Sequence, residues 1–436
     1  FYFYLKTNNQ KYLTPVEKLL SNISSKGVYD QLAGGIARYA VDEKWVIPHF
    51  EKMLYDNIQY IGLLTKFYQK TKKEYFKKKL IQTINFINNE FKNKENLYGS
   101  AYDADSEGIE GKYYVWSYEE LKKLLENDFA LFEKKYEISN TGNFEGKNIL
   151  VESKNELNEE EQNKIINIED KLAQEREKRI KPFFDDKSQT DLNAFILDTL
   201  ISSSIVLEDN NLKDEAISTL EILNNKLANK IYHCYDSSEI DAFLEDYVYY
   251  AMLLVTLYEV NSDERSLEKA ITIMKEIWEI FYNKNTQLLQ KNKIKDNDLF
   301  VSPIDLNDSN IPNGNSVYLN LCNKIYIITN DKFWFDKVEI LKKSFHQVLN
   351  SFFSQMFSFI KTLDLCENSI SFTFFGNKDS IKDIKLNLQK NYLGRATFVY
   401  KNNKEKEASV VICKNQTCSE KLKDINEVKN YLENKI

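Results

Sequence analysis

Glycine and proline are scarce, with 12 and 5 in 436 residues, where average usage would be roughly 7% and 5%. A strand-and-turn architecture needs many positive-φ or φ-fixed turn residues, so this composition argues against one. Long helices joined by short polar loops need few of either. The five cysteines, Cys234, Cys322, Cys366, Cys413 and Cys418, are odd in number and mostly far apart, unlike the pattern of a disulfide-stapled secreted domain. A reducing, cytoplasmic location is expected. The 59 basic residues are outnumbered by 66 acidic ones, giving a net charge of −7, which argues against a nucleic-acid partner bound through its phosphates. The lysine-rich stretch 66–79 is interleaved with aromatics at helical spacing and reads as a solvated face. The apolar run from Tyr247 to Val260 is shorter than a bilayer crossing and reads as a buried helix, so no membrane partner is expected. No basic segment with an apolar core opens the chain, and a start at Phe1 suggests a piece of a longer protein. No phosphate-binding G-x-x-x-x-G-K-[ST] or dinucleotide G-x-G-x-x-G occurs, and no cofactor is expected.

What is present is a soluble globular composition, 42% apolar, 13% aromatic and 29% charged, long enough to bury a substantial core. Apolar residues recur at three- and four-residue spacing through most of the first ~360 positions, as in Leu54, Ile58, Ile61, Leu64 and Phe67. Four strongly apolar helices are each preceded by a polar entry: Tyr55-Asp56-Asn57, Asp191-Leu192-Asn193, Glu245-Asp246-Tyr247 and Asn313-Gly314-Asn315. Asp56 and Asp191 are 135 positions apart, Asp191 and Asp246 are 55 apart, and Asp246 and Gly314 are 68 apart. These separations suit a repeat of about 50–70 residues, enough for a helical hairpin. Such helices fit the inner ring of a toroid whose entry ends open into a central cavity, and an open superhelical stack would pack similarly. From about residue 369 the texture changes to strand, helix, strand, strand, helix, with turn signals at Gly376 and Asn402-Asn403. The charged, Gly-free stretch Leu157 to Arg179 reads as an exposed helix.

Nine of the 12 glycines lie between Gly27 and Gly146, close to the residues with the most chemical potential. Residues 27–57 gather Arg38, Tyr39, Trp45, His49, Glu51 and Asp56 around Gly34-Gly35, which permits a tight turn or close backbone approach to a ligand. His49 and Glu51 are candidates for proton transfer, and Tyr39 and Trp45 for stacking on a sugar face. Asp103, Asp105 and Glu107 alternate before Gly108 like the start of a calcium loop, but position 12 would be Tyr114, so a general acid and base is the sharper reading and a solvated acidic turn the blander one. Asp185-Asp186 with Asp191 and Asn193, Glu245-Asp246, and Asn313 to Ser316 each suit a helix N-cap when taken alone. Their recurrence at one place in the repeat points to a shared cavity. Cys413 and Cys418 form a C-x4-C that reads as two free thiols rather than a metal or redox pair.

Taken in order, GVYDQLAGGIARYAVDEKWVIPHFEKMLYDN, SAYDADSEGIEGKYYVW, TGNFEGKNIL, EREKRIKPFFDDKSQTDLNAF, AFLEDYVYYAMLLVTLYE, IPNGNSVYLN and VVICKNQTCS resemble the family of bacterial thioredoxin-domain proteins related to spermatogenesis-associated protein 20. The likeness runs from about residue 20 to 420. It implies an (α/α)6 toroid similar to N-acylglucosamine 2-epimerases and six-hairpin glycosidases, preceded in that family by a thioredoxin-like domain that this chain lacks. The chain departs from the family pattern at Ile36-Ala37-Arg38-Tyr39, at Phe183 and at Leu192-Asn193-Ala194. Related epimerases use paired histidines, whereas of the three here only His49 sits in a motif; His233 and His346 lie outside. The expectation is an (α/α)6 toroid over 1–368 with a small α/β appendage over 369–436, directed at a small carbohydrate as a hydrolase or epimerase. His49, Glu51, Asp103 and Asp105 are the catalytic candidates. Arg38, Tyr39, Trp45, Asp56, Asp186, Asp191, Asn193, Glu245, Asp246 and Asn315 are the substrate-binding candidates, with no metal. The competing expectation is a non-catalytic binding toroid beside a thioredoxin-like domain.

Overall fold

The computed structural model describes residues 1–234, 240–293, 303–401, 408–415 and 417–435. It divides into two compact units, Phe1–Lys187 and Ser188–Ile436, so the boundary expected at residue 368 falls inside the second.

The first unit holds helices α1 (Tyr2–Thr7), α2 (Gln10–Ser25), α3 (Leu54–Thr71), α4 (Glu74–Glu90), α5 (Tyr118–Leu125), α6 (Phe129–Lys135) and α7 (Glu159–Arg176). Short strands β1 (Tyr39–Ala40), β2 (Pro48–His49), β3 (Lys52–Met53), β4 (Ala101–Tyr102), β5 (Asp105–Ser106), β6 (Ile109–Glu110) and β7 (Phe184–Asp185) shape its loops. β1 pairs with β2, β5 with β6, and β4 with both β3 and β7, all antiparallel. The apolar stripe of α3 does what its spacing predicts, because Leu54, Ile58, Ile61, Leu64 and Phe67 are all fully buried, each contributing roughly 1.5–3 kcal/mol. Gly34 and Gly35 adopt φ of 90° and 79°, and a Cβ on Gly35 would lie 2.4 Å from the Phe86 ring. The tight turn expected there is real, and the close neighbour of the Gly35 backbone is the Phe86 ring. Two expectations need correction. Leu157 to Arg179 is helical over α7 but not simply exposed, since Ile165, Ile168 and Leu172 pack with Trp116, Leu121 and Phe132 and Arg176 is 3% exposed. Lys79 in the lysine-rich stretch is buried too, drawn in by Glu152 at 2.9 Å.

The second unit contains α8 (Thr190–Leu207), α9 (Asn210–Lys226), α10 (Leu244–Asn261), α11 (Glu264–Phe281), α12 (Gly314–Thr329), α13 (Lys332–Phe352) and α14 (Phe357–Glu367), with strands β8 (Tyr232–Cys234), β9 (Ile240–Asp241), β10 (Tyr282–Asn283) and β11 (Leu288–Leu289). Hairpins α8/α9, α10/α11 and α12/α13 repeat here, and α10 packs on both α8 and α12. α8 and α10 are buried on almost every side. α11 buries only Ser266, Ala270, Ile273, Met274, Ile277 and Phe281, most at three- and four-residue spacing, the signature of a helix with one buried face. By length and composition α8 could cross a membrane, yet 78% of it is buried inside the protein, as in a core helix.

The hairpin turns explain why glycine is dispensable. α3, α8, α10 and α12 each end on a left-handed residue, Lys72, Glu208, Ser262 and Asn330, with φ between 55° and 60°. One extended residue follows before the next helix. In the last three turns that residue is Asp209, Asp263 or Asp331, whose carboxylate accepts a backbone N–H of the helix it starts. Asn57, Asn193 and Asn315, all fully buried, latch backbone at the opposite ends. Asn57 accepts from Ile36 N–H at 2.8 Å and donates to Met53 O. Asn193 donates to Gln189 O, and Asn315 accepts from Leu289 N–H and donates to Leu289 O.

The appendage belongs to this unit and follows the expected order, β12 (Ile370–Phe375), α15 (Lys382–Tyr392), β13 (Thr397–Lys401), β14 (Ser409–Lys414), β15 (Thr417–Cys418) and α16 (Ile425–Lys435). Its sheet runs β13-β12-β14-β15, with β12 and β13 parallel. The turn expected at Asn402-Asn403 lies outside the described residues. Glu259 of α10, 1% exposed, anchors the appendage by accepting from Phe398 N–H at 3.2 Å and from Lys324 at 2.6 Å. Cys413 and Cys418 are not free thiols, as expected, but a disulfide. They face each other across the β14/β15 pair, an adjacency that a count of thiols does not reveal.

Candidate functional site

In the second unit the first turn of α10 carries Glu245 and Asp246 and that of α8 carries Asp191, so three carboxyls sit at positive helix ends. Asp246 is fully buried and all its oxygens are engaged. It accepts from Asp191 N–H at 3.1 Å, from Phe243 N–H at 2.8 Å and from His233 Nδ1 at 3.0 and 3.1 Å. His233 comes from β8, where Thr190 Oγ1 donates to Tyr232 O at 2.6 Å and ties this strand to the start of α8. The Phe243 ring stands edge-on to the imidazole at 5.0 Å. With Asp246 acting as acceptor, Nδ1 carries the proton and Nε2 is the ring's acceptor nitrogen in the neutral form.

This packing raises the proton affinities of all three groups that it shifts, Asp191, His233 and Glu245. Burial, reinforced by the negative charge of Asp246, pushes Asp191 up to about 7, against the opposing pull of His233 and of Leu192 N–H. Burial alone would lower His233, but its hydrogen bond to Asp246 and the nearby carboxylates raise it above its ordinary value. Glu245 is raised chiefly by burial. Its Oε1 accepts from Gly314 N–H at 3.2 Å, while its Oε2 is buried without a partner among the described residues. Asp191, His233 and Asp246 can bring one ligand atom each to within 4.8 Å of one another, a spacing that could also hold a cation. The bonds already made by both Asp246 oxygens favour the proton network. His233 is the residue that motif reading missed. The available signal was its rarity, one of three histidines, on the strand just ahead of α10.

In the first unit the residues around Gly34-Gly35 meet differently. Arg38 Nη1 lies 3.0 Å from Glu51 Oε2, and His49 Nε2 lies 3.7 Å from the same oxygen. His49 Nδ1 is 2.9 Å from Glu110, a partner not anticipated, and Tyr39 stacks on the imidazole at 5.1 Å. Asp56 is pushed up to about 6 by burial, opposed by Arg38 and supported by Glu51, and its Oδ2 is buried and has no hydrogen-bond partner among the described residues. Trp45 holds a left-handed backbone, φ 63°, and its carbonyl accepts from Gly27 N–H. Asp103 and Asp105 are both exposed, Asp105 on a β5/β6 hairpin turned at Glu107-Gly108 and Asp103 just ahead of it, and Asp103 accepts from Asp105 N–H. Asp186 is exposed, and its carbonyl accepts from Asn93. Asn193 and Asn315 are backbone latches in this structure.

Helical hairpins with polar first turns, followed by a small α/β appendage, define a mainly α hairpin-repeat fold, the class to which (α/α)6 toroids belong. No family model matches the chain. Its sequence is similar to spermatogenesis-associated protein 20 from Mus musculus, 24% identical over 420 residues covering 85% of this chain and 53% of the relative. The Homo sapiens protein is 22% identical over 494 residues, covering 95% and 62%. The chain thus spans about half to three-fifths of the length of the curated relatives it matches. Among solved structures it is similar to a sugar epimerase from a ruminal bacterium (12% identity, TM-score 0.47, covering 74% of this chain and 66% of that one). It is also similar to a cellobiose 2-epimerase from Spirochaeta thermophila (8%, 0.46, 79% and 73%) and a GH76 α-mannanase from Bacteroides thetaiotaomicron (13%, 0.46, 88% and 84%).

Proposed function

We propose that the chain is a carbohydrate-directed protein that moves a proton on a sugar substrate, in the manner of an epimerase or isomerase, through Asp191 and His233. The observation that carries this reading is the Asp191–His233–Asp246 network, in which the Asp191 carboxyl is pushed up to about 7, His233 is raised above its ordinary value, and a third, fully buried carboxyl holds them. General acid–base chemistry is most effective when the catalytic pKa lies near the working pH. Asp246 acts as the positioning residue. The pair would take the acidic proton beside the carbonyl of an open-chain sugar and return it. A hydrolase needs two carboxyls that both reach the glycosidic bond, and Asp246 has no exposed surface with which to do so. The Oε2 of Glu245, without a partner among the described residues, favours a second reading, hydrolysis with Glu245 beside Asp191.

The test is incubation with a panel of reducing mono- and disaccharides in D2O, followed by proton NMR. Deuterium entering the position next to the carbonyl, lost in Asp191→Asn and His233→Gln, is the expected result. Glycan cleavage without exchange would select the hydrolase. Saturable binding without either reaction would select the non-catalytic toroid. The companion thioredoxin-like domain and the cytoplasmic location are proposals as well, and the Cys413–Cys418 bond weighs against the latter.

A further inference from the structure

The first unit holds a buried charge cluster that the proton network does not use. Asp30, on the turn before Gly34-Gly35, accepts from Arg176 Nη1 at 2.9 Å and from Lys52 Nζ at 2.8 Å. It also accepts the backbone N–H groups of Leu32 and Ala33 at 3.1 and 3.2 Å. Lys52 gives a further hydrogen bond to Gly34 O and lies over the Phe86 and Tyr114 rings. Both cations are only 3% exposed. One carboxylate therefore faces two cations, and buried charge without full compensation is costly. Glu90, the next carboxylate acting on Lys52, is already bonded to Lys181 at 2.8 Å.

All three charged residues line a small cavity of about 30 Å³, room for a compact group rather than a drug-sized ligand. Val28, Ala37, Pro48, Phe50 and Ile149 supply much of its apolar wall. The Nε–H of Arg176 is buried and has no hydrogen-bond partner among the described residues. A guanidinium offers its donors as a planar fork that matches carboxylate and phosphate oxygens. Here one Nη is spent on Asp30 and the Nε edge is not. A cavity with one surplus positive charge and an unspent donor edge is the complement of an anion.

We propose that this cavity binds a compact oxyanion, the carboxylate, phosphate or sulfate group of a small molecule, on Lys52 and the Nε edge of Arg176. The site is independent of the proton-transfer reading. Calorimetric titration of the intact 436-residue chain with inorganic phosphate, sulfate, acetate, glucose 6-phosphate and glucuronate tests it, with chloride at matched ionic strength as reference. Saturable binding by the phosphate and sulfate arm, by the carboxylate arm or by both supports the site and identifies its source. Arg176→Lys keeps the charge but removes the fork and should weaken binding about tenfold or more, with circular dichroism confirming the fold.

In case that variant does not fold, amide hydrogen exchange on the wild type gives a second readout. The anion should protect peptides covering residues 27–31, 48–52 and 172–179. Chloride-equal behaviour of every anion, unchanged affinity in folded Arg176→Lys, or protection confined to other peptides would each overturn the proposal.

Discussion

Replacing Asp191 with Asn should flatten the dependence of stability on pH. The Asp191 carboxyl moves from the ordinary 3.8 to about 7 on folding. Its folded-state pKa is raised, so the stability it lends is present at low pH and is lost as pH rises through 7. At 1.36 kcal/mol per unit the whole span amounts to roughly 4 kcal/mol, more than half of which falls between pH 5 and pH 8. Asp191 is 8% exposed, so solvent screening removes little of this. His233 is raised as well and loses stability in the same direction. Asp56, raised to about 6 in the other unit, acts equally on both proteins and cancels in their difference. Urea unfolding at constant ionic strength from pH 5 to 8, followed by tryptophan fluorescence and circular dichroism, measures that difference. Wild type should lose stability across the range while Asp191→Asn stays flatter and becomes the more stable protein at pH 8. Parallel profiles would refute the buried-network account.

Other consequences follow from the packing. Glu259→Ala leaves Lys324 and Phe398 N–H unpaired and should cost about 3–5 kcal/mol, with limited proteolysis speeding cleavage in the appendage; unchanged cleavage would contradict the anchoring role. Lys72 occupies a left-handed position at φ 55°, so Lys72→Gly should raise stability by up to about 1 kcal/mol in urea melts, the relieved strain exceeding the added chain entropy. Under denaturing, non-reducing conditions only Cys234, Cys322 and Cys366 should alkylate, and all five cysteines after reduction. Five labels without reductant would disprove the bond. Cys413→Ser should cost about 2 kcal/mol, given the short loop of separation 5.

The apolar spacing of Leu54 to Phe67, the polar entries at Asp56, Asp191 and Asp246 and the strand-helix alternation after residue 369 were legible in the chain. All are local properties. The Cys413–Cys418 bond was not, because the C-x4-C spacing does not say that the two residues face each other across a hairpin. The burial of Arg176 was hidden too. Its helix reads as charged throughout, and its partner Asp30 lies 146 residues away.

The sequence by itself determined a helical frame with few glycines, since helix periodicity depends on neighbours within a turn or two, and Lys, Glu, Ser and Asn can each fill the left-handed turn position. It also placed carboxyls at the first turns of the apolar helices. Only the tertiary structure decided what those carboxyls are. It set His233 against Asp246, left Asp191 poised near neutrality, and turned Asn193 and Asn315 into backbone latches. A polar group's role depends on which partners meet it once water is excluded, and those partners arrive from other segments of the chain.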